Sequence, residues 1–171
     1  MLEQILPLLQ KDASRGFIRN WFDLRDGRIA PDRRDIDPVR MAGLLPKLWL
    51  WEYVEARQDF RCRLAGEEIC AVFGRNPRGT FLSHWVPSSV YATARARYRR
   101  VIEEPAICLA SGNSYVEDNK QAWCERLIAP MTDGGDRPTV VFGLTAWHLP
   151  DYSPTRVDRE ETEARFFPLA R

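Results

Sequence analysis

The residues of this chain that could do chemistry are four cysteines, two histidines and a scatter of arginine–carboxylate neighbours. Cys62, Cys70, Cys108 and Cys124 each sit inside an apolar pattern, and none forms a Cys-x-x-Cys pair. That spacing is what a zinc site or a redox couple would need. They read as free, buried thiols in a reducing compartment. His84 stands in Ser83–His84–Trp85 and reads as a partly buried, hydrogen-bonded imidazole rather than a haem or metal ligand. His148 closes an apolar run and reads as exposed. No metal-ligand set emerges.

Glu52 and Glu125 fall in strand-like runs and form the one conceivable acid–base pair. Nothing in the sequence brings them together, and each reads as a surface-facing strand carboxylate. Arg95, Arg97, Arg99 and Arg100 could meet an anion or nucleic acid. Glu103 and Glu104 follow at helical spacing, so a solvated, charge-balanced face is the simpler reading. Arg33, Arg34, Asp35 and Asp37 read as a salt-bridge network under an N-terminal helix. Phosphate-binding Gly-rich loops, GxSxG and HExxH are absent. No catalytic residue is assigned, and the chain reads as a binding module rather than an enzyme.

These side chains have to be positioned by a fold of 171 residues, 44% hydrophobic and 29% charged, with a formal net charge of +1. Such a chain can bury one substantial core and has no global field to draw nucleic acid. No apolar run reaches the roughly 20 residues of a membrane helix. The segment Met1 to Gln10 lacks a basic lead and a small-residue cleavage site, so it reads as mature chain of a cytoplasmic protein. The apolar spacing of Phe17, Ile18, Trp21, Phe22 and Leu24 predicts a helix from Ser14, as cap, to Asp26, with Gly27 ending it. A second short helix is predicted after Asp37–Pro38, limited by Pro46. Strand signals follow at 48–54 and at Phe60, Cys62 and Leu64, where Arg61 and Arg63 alternate with them. Helical spacing returns at 66–73 and, in a longer helix, from Pro87 to Glu103. Strand-like runs near 107–111, 121–131 and 139–148 close the domain, with turns at Glu117–Asp118–Asn119 and Asp133–Gly134–Gly135. The tail from Asp151 is charged, with a helical pattern near Asp158 to Phe166.

This order predicts an α+β domain: five antiparallel strands with an inserted helical block on one face. Particular residues sharpen it: Trp21, Leu24, Arg25, Arg28, Pro31, Arg34, Asp35, Asp37 and Pro38; then Leu44–Leu45–Pro46; then Phe60-Arg61-x-Arg63-Leu64-x-Gly66; then Phe73–Gly74–Arg75, and Leu127 to Met131 before Gly134–Gly135. In this set, over about Ser14 to Leu149, the chain resembles a divergent bacterial group of the PAS domain family. Where that group often has Gly-Thr, this chain has Gly66–Glu67, and Glu67 suits the start of a helix. The resemblance implies a PAS-like five-stranded antiparallel sheet with inserted helices. It implies residues 1–27 as an N-terminal helical extension, 28–150 as the sensory domain and 151–171 as a tail.

The function implied is a stand-alone sensory and signalling module for a small ligand, a protein partner, or both, with no cofactor. The rival reading is a small cone-shaped α+β enzyme with a carboxylate or histidine base. Against it, the expected inward set Cys62, Leu64, Leu109, Phe142 and Leu144 is apolar. A ligand is expected against Ile69, Phe73, Trp85, Tyr98, Leu109 and Trp123, unless these simply fill the core. The stripe of Phe17, Ile18, Trp21 and Phe22 is expected either to cover the sheet or, with the leucines of Met1 to Gln10, to join two copies in a homodimer. The reactive-cysteine motif of flavin photosensors is missing, and His84 precedes the long helix instead of lying on it. The purified protein is therefore expected to show neither a haem Soret band nor flavin absorption; a Soret band lost in His84→Ala would overturn this.

Overall fold

A computed structural model describes residues 1–115, 121–148 and 162–170. Its centre is a six-stranded antiparallel sheet, β1 (Leu48–Val54), β2 (Asp59–Ala65), β3 (Ala106–Tyr115), β4 (Gln121–Met131), β5 (Val140–His148) and β6 (Thr162–Pro168), in the order β2-β1-β5-β4-β3-β6. Both faces are covered. Helices α1 (Leu2–Ile5) and α2 (Asp12–Arg25) lie with the 29–41 segment on one face. Helices α3 (Glu67–Val72), α4 (Leu82–Trp85) and α5 (Ser88–Glu103) form the block on the other.

The strands explain why two covers are needed. In β3, Ile107 and Leu109 point to the α2 face, and Cys108 points to the helical block. In β4, Leu127 and Ala129 face α2, and Ile128 faces the block. A sheet apolar on both sides reads as a near-continuous hydrophobic run. The expected inward set splits for this reason: Leu109, Phe142 and Leu144 pack under α2, Cys62 packs under the block, and Leu64 stays 39% exposed.

On the α2 face, Phe17, Ile18 and Trp21 are fully buried against the chain's own sheet. Phe17 meets the Phe142 ring at 5.2 Å, and Trp21 Nε1 donates to the Pro130 carbonyl at 3.1 Å. Each buried side chain contributes roughly 1.5–3 kcal/mol. The stripe that could have joined two copies is thus a lid on its own sheet; Phe22, half-buried, stacks edge-on against Trp21 at 5.2 Å. The helix begins at Asp12, with Lys11 in extended conformation before it, so Ser14 is not its cap. Ser14 is instead buried one turn in, and its hydroxyl has no partner. The stretch after Asp37 is a run of turns, because the Asp37 carboxylate takes the Val39 N–H at 2.9 Å and bends the chain at once.

The tail also differs from expectation. Residues 162–168 form a strand on β3, with Ala164 and Phe166 turned to the block and Phe167 to the α2 face. The Glu117–Asp118–Asn119 turn and the start of the predicted tail helix lie outside the described residues.

Two glycines show how closely the layers meet. A Cβ on Gly66 would stand 2.3 Å from the carbonyl oxygens of Leu45 and Pro46. This contact ties the Leu-Leu-Pro segment to the end of β2. A Cβ on Gly143 would stand 2.1 Å from the Trp49 indole. Gly143→Ala is expected to cost about 3 kcal/mol or more, while Gly43→Ala, whose Cβ meets nothing within 4 Å, stays within about 0.5 kcal/mol. Denaturant unfolding of the two variants checks this; equal midpoints would show that Trp49 does not occupy the notch.

Candidate functional site

The helical block follows directly from β2. Gly66 N–H returns to the Leu48 carbonyl at 2.8 Å, and α3 starts at once with Glu67 and Glu68 in its first turn. Lys47 pairs with Glu68 and pins this start. Helix α5 buries Tyr98, Val101 and Ile102 on the sheet. Its arginines are held at the rim rather than offered to solvent partners. Arg95 donates to the Gln58 carbonyl at 2.6 Å, Arg99 pairs with Glu103 and reaches Tyr53, and Arg100 lies 4.1 Å above the Phe166 ring.

Between block and sheet lies a continuous aromatic set. Trp49 stacks on Tyr98 at 5.5 Å, and Tyr98 meets Phe60 edge-on at 5.3 Å. Further along the sheet, Phe73 meets Trp85 at 5.1 Å and Trp147 at 5.9 Å, both edge-on. Arg75 lies 4.3 Å over Trp85 and donates to its carbonyl at 2.7 Å. Polar groups enter from β4 and β5. The register puts Cys124 opposite Trp147 and Arg126 opposite Thr145, four side chains on one patch of this face. Thr145 Oγ1 accepts from Trp49 Nε1 at 2.9 Å and from Arg126 Nε at 3.4 Å. Arg126 Nη2 stands 3.9 Å from the Cys124 sulfur. Trp147 is 7% exposed, and its Nε1 has no acceptor. A buried donor left so costs about 1–3 kcal/mol.

Of the pocket residues expected from sequence, Ile69, Phe73, Trp85 and Tyr98 come together here. Leu109 does not: it packs under α2. Trp123 shares the strand parity of Glu125 and Leu127, which is the α2 side. The sequence reading missed Trp49, Arg126, Thr145 and Trp147. Alternation along 121–131 could have found Arg126, once Ile128 was known to face the block.

The other candidates settle elsewhere. His84 is exposed on α4, edge-on to Phe81 at 6.5 Å. Burial pushes the Cys62 thiol up to about 12 and the Cys108 thiol up to about 11, so both stay protonated at neutral pH. Among the described residues no three His, Cys, Asp or Glu side chains gather as a metal site, and no helix is long and apolar enough to cross a membrane. A surface cleft of about 400 Å³ at the β2 edge is lined by Arg33, Cys62, Arg63, Arg78 and Gly79. Glu52 takes Arg63 at 2.9 Å. Glu125 is not surface-facing: it is 2% exposed and accepts the Gln10 and Lys11 backbone N–H groups at 2.8 and 3.3 Å, holding the start of α2. Glu52 and Glu125 sit opposite Val140 and Ala146 on either side of β5, positions about 20 Å apart along that strand at roughly 3.4 Å per residue.

The expected network under the N-terminal helix exists, and its centre is Asp32. This buried carboxylate caps the turn Arg33–Asp35, accepts from Arg34 Nε at 2.7 Å, from the Thr132 hydroxyl at 3.2 Å and from Gly134 N–H at 2.6 Å. Arg28 pairs with Asp35 at 2.7 Å, and Arg33 with Asp133 at 2.6 Å. The Arg34 guanidinium, with the backbone donors, holds the Asp32 carboxyl well below the usual carboxylate range.

A family profile described as PAS domain matches residues 9–146. No curated protein matches the chain. Among solved structures, VqmA bound to DPO superposes with a TM-score of 0.52 at 13% identity, over 64% of this chain and 56% of that one. The Vibrio cholerae VqmA dimer without its target DNA gives 0.52 at 13% identity, over 65% and 50%. A Rhodobacter sphaeroides LOV protein gives 0.49 at 13% identity, over 68% and 70%. The chain is similar to the VqmA chains in fold, and it spans about half their length.

The matched stretch takes in α2 and the Asp32 latch, which makes the latch worth testing. Its folded pKa is depressed, so its stabilisation is full above the ordinary carboxylate range, shrinks as pH falls below that range and is gone only once pH passes the depressed folded value. Asp32→Ala is expected to cost about 1.5–3 kcal/mol at neutral pH and less at about pH 3. Equal losses at both pH values in urea unfolding would mean that the carboxylate charge does not hold the latch.

Proposed function

The chain belongs to the PAS domain family, and from that premise we propose that it is a sensory module that takes up a small molecule between the sheet and the α3–α5 block and passes the event to a partner protein. The observation that carries this reading is the asymmetry of the two faces. The α2 face is closed by aliphatic and aromatic packing of the chain's own N-terminal helix. The block face instead mixes aromatic rings with a half-buried arginine, a threonine and a buried indole donor without acceptor. Mixed apolar walls with a few placed polar groups are the chemistry of small-molecule sites. VqmA, of similar fold, has been captured bound to DPO, and from this likeness we take only that such a fold can hold a small molecule. Binding rather than catalysis is also supported by the wide separation of Glu52 and Glu125 and by their engagement with arginines and backbone.

Self-association through the N-terminal segment belongs to the same proposal in reduced form. With Phe17, Ile18 and Trp21 buried, what remains for a second copy in this segment is exposed Leu8 with the half-buried Met1, Leu2, Leu6, Phe22 and Leu24. Sedimentation at tens of micromolar tests it, and a monomer ends it.

Ala94, half-buried on α5 against the block-side core, provides the test of the ligand reading. Native mass spectrometry of freshly purified protein is expected to show a retained small molecule, and Ala94→Leu to lose it with an unchanged melting temperature. A filled core would instead lose about 1–3 kcal/mol from overpacking. Destabilisation with no retained mass in either protein would overturn the reading.

A further inference from the structure

We propose a second binding site, for a small phosphate dianion, in the cleft at the β2 edge, where Arg33, Arg63 and Arg78 converge from three separately fixed pieces of backbone.

This cleft of about 400 Å³ has three arginines among its five lining residues, and the other two are Cys62 and Gly79. A cleft of that size takes a small molecule. Its walls offer charge and N–H donors, and no aromatic ring lines it.

Each arginine is held there by its own backbone device. Arg33 opens the short turn that Asp32 caps, and its N–H donates to the Thr132 carbonyl at 3.0 Å. Arg63 is the extra residue of a β-bulge: Leu50 pairs with Leu64 and Trp51 with Cys62, so Arg63 has no partner in β1. A bulge re-aims a side chain. Arg78 is the second residue of a tight turn closed from Thr80 N–H to the Pro77 carbonyl at 2.9 Å. Gly79 follows at φ +85°, the positive φ that a type II turn needs in its third residue. Two bonds of 2.9 Å with Cys62 fasten this turn to β2. The three side chains line the cleft with no segment having to move.

Charge selects a dianion. Arg33 pairs with Asp133 and Arg63 with Glu52, each through Nε, at 2.6 and 2.9 Å. A guanidinium has further N–H donors on its two Nη atoms. Glu52 is shared, with Arg61 3.6 Å from it. Arg78 is exposed, and among the described residues its guanidinium has no partner. Four guanidiniums thus share two carboxylates, an excess of two positive charges. The adjoining pairs Arg28–Asp35 and Arg34–Asp32 are each neutral and leave that excess unchanged.

Shape selects phosphate. A phosphate group brings nearly two negative charges at neutral pH and three strong acceptor oxygens. Guanidinium forks meet it with paired, charge-assisted bonds. A carboxylate presents two oxygens in one plane, whereas arginines on three sides suit a tetrahedral oxyanion.

The test titrates the full chain with glycerol phosphate, inorganic phosphate, dimethyl phosphate and succinate at constant ionic strength and about pH 7.5, where phosphate monoesters are dianions. Calorimetry reads all four, and phosphorus NMR reads the phosphate probes. Glycerol phosphate and inorganic phosphate are expected to bind about tenfold more tightly than the monoanion dimethyl phosphate or the dicarboxylate succinate. Either order between the first two upholds the site, and the tighter one identifies its ligand as ester or free ion. Arg78→Gln breaks no bond of the free protein, so it should weaken phosphate about tenfold with an unchanged melting temperature. Arg100→Gln, on α5 beside Phe166, should leave binding unchanged. Unchanged binding in Arg78→Gln, or an equal loss in Arg100→Gln, would overturn the site. Dimethyl phosphate or succinate binding as tightly as the phosphate dianions would overturn the ligand class. Silence of every probe at millimolar concentration would overturn both, and the ligand reading for the sheet–block interface would stand or fall separately on its native mass spectra.

Discussion

The indole of Trp49 lies in a notch that exists because residue 143 carries no side chain. That contact sets the height of the layer above the sheet. Trp49 can lie flat, so Tyr98 can stack on it with the planes only 17° apart. The stacking brings α5 down onto β1, β4 and β5, and burial raises the Tyr98 hydroxyl to about 12. The same indole turns its N–H to Thr145 and so occupies the hydroxyl that Arg126 also uses. Backbone, aromatic layer and polar patch are thus linked through one close approach. A glycine in a strand interior usually weakens it; here the cost is offset by the ring that fills the space.

The second organising feature is the two-sidedness of β4. Glu125 faces the α2 layer and holds the backbone at Gln10 and Lys11; its neighbour Arg126 faces the block. Successive residues of a strand point to opposite faces. A shift of β4 on one side is therefore felt on the other without any intermediary. The Asp32 latch fastens the far end of the same strand, through Thr132 and Gly134, to the segment leaving α2. The N-terminal layer is clamped to β4 at both ends, by one carboxylate each.

Much of this was legible in the sequence because period and punctuation coincide. The β1–β2 hairpin, the helix from Ser88 and the strands at 121–131 and 140–148 all appear where alternation, helical spacing and turn residues agree. The site was half legible. Helical residues such as Phe73 and Tyr98 can be assigned to a face from spacing alone, whereas a strand apolar on both sides gives no sign of which face is which. Leu109 and Trp123 went to the wrong side for that reason, and Arg126 was passed over. Asp32 was hidden among neighbouring charges, since its partners lie about a hundred positions away. The last strand was read as a helix because Arg165, Phe166 and Phe167 break strict alternation; pairing with β3, not local preference, makes it extended.

That last strand has a consequence for colloidal behaviour. A lateral strand with unpaired N–H and C=O groups is a template on which other chains can grow into fibrils. Here β6 lies along β3, and on the opposite side the backbone at Gly79 and Thr80 bonds Cys62 of β2 at 2.9 Å twice over. On its side β6 is itself the outer strand, seven residues long, and it adds Ala164 and Phe166 to one core and Phe167 to the other. Shortening the chain before Thr162 would exchange this strand for the ten-residue β3 as the lateral strand, a longer template for pairing between copies.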